Sequence, residues 1–318
     1  MNHPESTILI TTRNRKEELR SALRSAVTQT ALPEVLVIDD GSTDGTAEMI
    51  RTEFPSVRLE RREESRGLIV RRNEGARLAR SPIIFSIDDD AEFTAPDSIA
   101  VALEEFNHPR IGAVAIPFIN VRQSSHIFQK PTPGGSEIQV AASYIGTAHA
   151  MRREVFIALG GYKEHFIHQG EEGDFCLRML AAGYVVRLGR SAPIHHHESP
   201  KRDTRRMDFF GRRNDVLFAM QNVPAKNLPA HLGGTLINGL RAAARSQHPM
   251  QQLSGLAEGL SVGICRWNSD RAPVAYNTYR LHRRLKKNGP LPLEEIEGFL
   301  PPLLSTTISA TADSNTSK

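Results

Sequence analysis

Residues 34–46 read EVLVIDDGSTDGT, an unbroken apolar run that ends on two carboxylates, Asp39 and Asp40, and passes through a Gly/Ser/Thr turn. Helical periodicity resumes directly after it, so the stretch is that of a buried strand feeding a helix. Working outward, the same alternation recurs. Before it stand STILITT at 6–12 and a helical stretch over 16–29; after it come a helix over 43–53, VRLE near Val57, a helix from about Leu68 to Arg80, and PIIFSID at 82–88. A helix around Asp97–Phe106 and the strand IGAVAIPF continue the series. Strands separated by helices predict an α/β fold whose mostly parallel sheet is flanked by helices on both faces.

The pattern then breaks. Pro131, Pro133, Gly134 and Gly135 interrupt any period between Asn120 and Ser143, which reads as a long loop. A helix near Glu172, the strand YVVRLG and a basic amphipathic helix over 205–221 follow. Past Pro224 the composition turns helical and rich in small residues. Residues 1–223 are therefore taken as the main domain, 224–300 as a smaller helical C-terminal region, and 301–318, rich in Ser and Thr, as a disordered tail.

Of 318 residues, 39% are hydrophobic and 24% charged, enough to bury a core and too apolar for wholesale disorder. The formal charge of +4 suits a phosphorylated ligand or another polyanion. Cys176 and Cys265, each among apolar residues, predict buried reduced thiols and no cysteine metal site. No basic leader and no apolar run of spanning length is present, so the expectation is a cytoplasmic protein. The basic segment RLHRRLKK at 280–287 adds a peripheral contact with the inner face of an anionic membrane.

Five clusters carry chemistry. Asp39 and Asp40 sit where open α/β sheets bind ligands, and can accept from a base N–H or ribose hydroxyls; Asp40 as a turn former and Ser42 or Thr43 as helix caps are the plainer alternative. Asp88, Asp89 and Asp90 follow another apolar strand, and their crowding suits a hard cation such as Mg²⁺ or Mn²⁺ bridging phosphates. Glu171, Glu172 and Asp174 open a helix, where acids favour the dipole and one carboxylate can serve as a general base. The run His195-His196-His197-Glu198 offers neutral imidazoles to a metal or phosphate. Arg205 and Arg212, seven apart, share a helix face able to meet a diphosphate.

In this order and spacing the pieces ILITTRNR, VLVIDDGSTDGT, RGLIVRRNEGARLA, IIFSIDDDAEF and GEEGDFCLRMLAAGY followed by HHHES resemble the family 2 glycosyltransferases of the GT-A fold, over roughly residues 6–220. The resemblance implies a nucleotide-binding GT-A-like sheet and an inverting transfer from a nucleoside-diphosphate sugar to the hydroxyl of a glycan or lipid-linked acceptor. It assigns Thr11, Arg13, Asp39 and Asp40 to the nucleoside, with Gly67, Arg72 and Asn73 beside it. Asp88 and Asp90 fall on the metal-binding Asp-x-Asp motif with Asp89 between them. Asp89 and Arg205 complete the expected donor contacts, and His197 joins the metal. Glu172 occupies the usual base position, where the family carries aspartate, and Glu171 and Asp174 stay open as alternatives.

A sugar-nucleotide pyrophosphorylase would need a glycine-rich phosphate loop after the first strand, and TTRNRKEEL has no glycine. No G-x-G-x-x-G or P-loop sequence supports a dehydrogenase or NTPase. A non-catalytic relative that binds nucleic acid or another polyanion is the remaining alternative; the acidic strand ends argue against nucleic acid at the sheet edge.

Overall fold

The computed structural model describes residues 4–198 and 203–304. The first half runs β1 (Ser6–Thr12), α1 (Lys16–Val27), β2 (Glu34–Asp39), α2 (Thr46–Glu53), β3 (Arg58–Arg61), α3 (Leu68–Leu78), β4 (Ile83–Asp88), β5 (Ala91–Glu92) and α4 (Ser98–Glu104). Then come β6 (Ile111–Ala115), β7 (Phe118–Asn120), β8 (Ile127–Phe128), β9 (Gln139–Ala141), β10 (Ala148–Arg152) and α5 (Arg153–Ala158). The second half holds α6 (Glu171–Ala181), β11 (Val185–Leu188), β12 (Ile194–His196), α7 (Thr204–Asn222), α8 (Leu228–Ala243) and α9 (Pro249–Cys265). It closes with α10 (Trp267–Asp270), α11 (Tyr276–Asn288), β13 (Leu291–Pro292) and α12 (Leu293–Ile296).

Nine strands form one sheet in the order β13-β9-β11-β6-β10-β4-β1-β2-β3. The quartet β4-β1-β2-β3 is wholly parallel, whereas β10 lies antiparallel between β4 and β6. Alternation along β1 explains the layering. Ile8 and Ile10 point into a core with Leu19 and Leu23 of α1 and Met49 of α2; Leu9 points the other way, to Ile69 and Ala76 of α3 and Phe175 of α6. Helix α3 lies so close that a Cβ on Gly75 would stand 2.3 Å from Leu9 Cδ1, so only glycine permits the approach.

A second sheet, β5-β12-β7-β8, stands at the end of the first. Together with β9 it places three short strands within or beside residues 120–143, where a loop is expected from sequence. Strands of two or three residues are too short to print an alternating pattern, and the prolines and glycines between them hide what there is.

Beyond Pro224, α9 lies along α7 through a row of glycines. A Cβ at Gly255 would be 2.2 Å from Phe209 O, and one at Gly263 2.3 Å from Met220 Sδ. The small-residue composition is thus a packing requirement of the helix pair. The chain then returns: Leu281 and Leu285 of α11 and Leu293 and Ile296 of α12 join the core that holds Ile8, and β13 pairs with β9. Residues 276–300, on the far side of the 223/224 boundary, are therefore built into the main sheet. Most of the tail, residues 305–318, lies outside the described residues, as does Arg202. Cys176 is buried, but Cys265 ends α9 exposed, because the last residue of an amphipathic helix need not share its buried face. No helix among the described residues is long and apolar enough to cross a membrane.

Candidate active site

The parallel register brings strand ends to one level: Thr12 lies opposite Asp39, and Thr11 opposite Asp88. Beyond them opens a cavity of about 1280 Å³. Its near wall holds Thr11, Arg13, Asp40, Gly67, Arg72 and Asp88, its floor the segment 143–147 and the first turn of α6, and its far wall faces of α7, α8 and α11.

At the near wall Asp40 is saturated. Its carboxylate accepts from Ser65 Oγ (2.6 Å), the backbone N–H groups of Arg66 and Gly67, and Arg71 Nε (2.6 Å). Burial opposes ionisation, but these donors outweigh it and hold the group below the usual carboxylate range. Stability from such a group is present above its unfolded pKa and disappears as pH falls through the lowered one. Asp40→Ala, which leaves buried Arg71 and two N–H groups short of a partner, is expected to cost about 3 kcal/mol near neutral pH and less at pH near 3. Urea unfolding at both pH values checks this; an equal cost at the two would break the linkage argument.

Asp39 is fully buried and lies outside the cavity lining; its Oδ1 accepts from Ser42 N at 2.9 Å and fixes the turn, while Oδ2 makes no hydrogen bond. Asn73 is also away from the lining. Its amide exchanges two hydrogen bonds with the backbone of Tyr162, tying α3 to the chain after α5. Arg205 is exposed off the cavity, and Arg206, one position round the helix, lines it and stacks over Phe210 at 5.5 Å.

The three aspartates after β4 divide their partners. Asp88 accepts from Arg72 Nη2 at 2.8 Å. Asp89 turns inward to Thr12 Oγ1 and Arg15 Nη1, both at 2.8 Å, and burial pushes it up to about 7 against the pull of Arg15. Arg15 also reaches Asp90 at 3.1 Å. Nothing in the spacing of Arg15 singles it out beforehand; only the fold brings it beneath the acids.

The histidine at this cluster is His196 and not His197. Strand β12 pairs His196 with Ala91 and Asn120, and strand alternation points its buried ring inward, leaving His197 on Glu92 at 3.3 Å. Asn120 Oδ1 lies 2.7 Å from Nδ1 of His196 and fixes the ring's orientation. Nε2 faces Asp90 Oδ1 (3.2 Å) and Asp88 Oδ2 (3.8 Å) and makes no hydrogen bond. Ligand atoms of Asp88, Asp90 and His196 all lie within 4.8 Å of one another. An imidazole nitrogen converging with two carboxylates in this way suits a shared cation, with Asn120 orienting the ring.

Across Arg72 stand the acids of α6. Arg72 Nη1 is 3.6 Å from an oxygen of both Glu171 and Glu172, so one buried guanidinium links the two acidic groups of the cavity. Burial raises both glutamates above the ordinary range, and Arg72 only partly offsets it. Glu171 is almost wholly enclosed, whereas the Glu172 side chain keeps 19% exposure. Glu172 presses on Gly146: a Cβ there would stand 2.1 Å from its Oε1. Asp174 is elsewhere. Fully buried, it receives Lys163, Arg178 and Asn222, which overcome the burial penalty and hold it ionised as an anchor of the helix.

A central parallel quartet with acids at its C-terminal ends, an antiparallel strand inserted beside it and a histidine carried in by a small second sheet define a GT-A-type fold. Residues 7–160, a little under half of the chain, match the model of glycosyl transferase family 2. Succinoglycan biosynthesis protein ExoU of Rhizobium meliloti is 29% identical over 196 residues, which are 55% of this chain and 57% of that protein. The chain thus spans little more than half of this curated relative. The mannosyltransferase PcManGT from Pyrobaculum calidifontis, solved with GDP-Man and Mn²⁺, superposes with a TM-score of 0.55 at 20% identity, covering 90% of this chain and 85% of that one. Residues 1–349 of S. aureus TarS with UDP give 0.59 at 14% identity, covering 89% and 87%. At such identities these two likenesses carry the fold alone.

Proposed function

We propose that the protein is an inverting glycosyltransferase that moves a sugar from a nucleoside-diphosphate sugar to an acceptor hydroxyl on a glycan or lipid-linked chain. The observation that carries this is the pairing, through Arg72, of a cation-type cluster with a cavity-facing glutamate at the C-terminal edge of the sheet. The relatives agree: one is a succinoglycan biosynthesis protein, and the structural neighbours hold GDP-Man with Mn²⁺ or UDP.

In this reading Thr11, Arg13, Asp40 and Gly67 line the nucleoside end, and Asp39 shapes the turn behind them. A divalent cation fits Asp88, Asp90 and His196, where it would supply positive charge to the donor diphosphate. Glu172 takes the acceptor O–H proton; the acceptor oxygen forms its bond to the anomeric carbon from the face opposite the leaving diphosphate. The bond from that carbon to the diphosphate oxygen breaks, and its electron pair stays on the diphosphate. Arg72, held between both groups, stabilises the charge as it moves and keeps Glu172 oriented. Glu171, enclosed against the same arginine, positions it.

Calorimetric titration with a panel of nucleoside diphosphates, with and without Mn²⁺, tests the assignment. Binding of one nucleotide, strengthened by Mn²⁺, is expected; a folded protein that binds none of them is not this enzyme. A second consequence concerns pH. A base must be deprotonated, and burial raises Glu172 above the ordinary glutamate value of 4.5. The acid limb of the kcat/KM profile is therefore expected to have its midpoint above 4.5, activity falling as pH drops through it. A midpoint at or below that value points to another base.

A further inference from the structure

The far wall of the cavity is made by the C-terminal helices, and no step above uses it. Helix α11 presents His282, Arg283 and Lys286 to the cavity, and α8 presents His231, Thr235 and Asn238. The basic run RLHRRLKK is thereby split: Arg284 turns outward to Glu295, while Arg283 and Lys286 look inward.

Two observations mark this wall as built for a ligand. His282 is only 4% exposed, yet neither of its ring nitrogens makes a hydrogen bond, and buried polar groups are costly to leave unpaired. Phe218 holds the ring in place, its centroid 6.0 Å from that of His282. The cations above it are uncommitted: Arg283 has no hydrogen bond or ion pair among the described residues, and Lys286 makes only a 3.5 Å contact with Ser143 Oγ. The carboxylate on this wall nearest in sequence to Phe218, Asp215, is taken by Arg212 at 3.1 Å. Burial, followed by the charges of Lys286 and Arg283, holds His282 down to about 3, so it stays a neutral donor and acceptor. Ser143 belongs to the same segment as Gly146, which abuts Glu172, so this basic wall adjoins the proposed base.

We propose that the far wall is the acceptor-side subsite and takes a phosphate ester, its anionic oxygens held by Arg283 and Lys286 over His282 while the acceptor hydroxyl faces Glu172. This rests on the glycosyl-transfer reading. A sugar or a lipid linked through phosphate shares the chemistry that would be recognised.

The test is calorimetric titration of the full chain in EDTA with geranyl phosphate and with glucose 1-phosphate, geraniol and glucose serving as uncharged controls. At least one ester is expected to bind, its control not at all, and Arg283→Ala/Lys286→Ala to weaken the ester by about tenfold or more. Both side chains are exposed, so the variant's unfolding midpoint should match the parent's, and Lys286→Ala alone should show an intermediate loss. Binding of geranyl phosphate only identifies a lipid-tethered acceptor; binding of both identifies the phosphate itself as the recognised group. The proposal is overturned if neither ester binds, or if the double substitution leaves their binding unchanged, in a preparation that binds nucleoside diphosphate with Mn²⁺. Failure of the unaltered protein to bind any nucleoside diphosphate would instead remove the transfer reading, and the acceptor role with it.

Discussion

Glu172→Gln is expected to lower the turnover of sugar transfer by about 10²–10⁴-fold while changing nucleoside diphosphate affinity by no more than about twofold. The amide keeps the size of the side chain and its contact with Gly146, so the cavity keeps its shape; what it loses is the ability to take a proton. The loss should fall on turnover, because the nucleoside meets the near wall and Glu172 stands on the cavity floor. Glu172→Asp is the informative companion. It restores the residue common at this position in the resembling family, and recovery of a large part of the rate would show that a carboxylate is needed there. Single-turnover transfer measured beside nucleotide titration separates the cases. Should Glu171→Gln abolish turnover while Glu172→Gln retains it, the roles of the two glutamates are exchanged.

Asp88→Asn should remove the Mn²⁺ enhancement of nucleoside diphosphate binding, a loss on the order of 10–100-fold in affinity at saturating Mn²⁺. In EDTA the two proteins should bind nucleotide alike. Asp88 carries two duties: it offers an oxygen to the cation-type cluster and it neutralises Arg72. His196→Ala separates them, since it deletes the imidazole and leaves the Arg72 pair intact. If both substitutions erase the Mn²⁺ effect, the cluster holds the cation; if only Asp88→Asn does, the effect runs through Arg72. Retention of the effect in both would dismiss the cluster as a metal site.

Much of this arrangement could be read before any coordinates. The apolar runs of β1, β2 and β4 end in hydroxyls or acids and alternate with helical stretches, so the mostly parallel sheet and its acidic edge follow from pattern. What could not be read depends on contacts between distant segments. Asp174 looks as eligible as Glu172 until Lys163 and Asn222 close on it. Of three consecutive histidines, two take opposite faces of a three-residue strand and the third lies just past it, and that strand's register comes from its neighbours β5 and β7. Arg15 joins the acids across a gap that sequence separation conceals. The cavity's far wall was invisible for the same reason: His231 and His282 are unremarkable in their own helices and gain meaning only when α8 and α11 meet over the cleft.

The edge position of β13 has a consequence for how the molecule is made. During synthesis β9 emerges before either neighbour: β11 follows at 185–188, and the strand that covers the other side of β9 comes from residues 291–292, after all the long helices have been translated. Until then the nascent chain shows an open edge, a template for pairing with another chain. The core beside it also lacks Leu293 and Ile296. Closure of that edge thus waits for residues 291–296, which follow all the long helices in chain order. A chain stalled before that point would carry every acid of the cleft beside an unfinished sheet edge, a form that chaperones recognise.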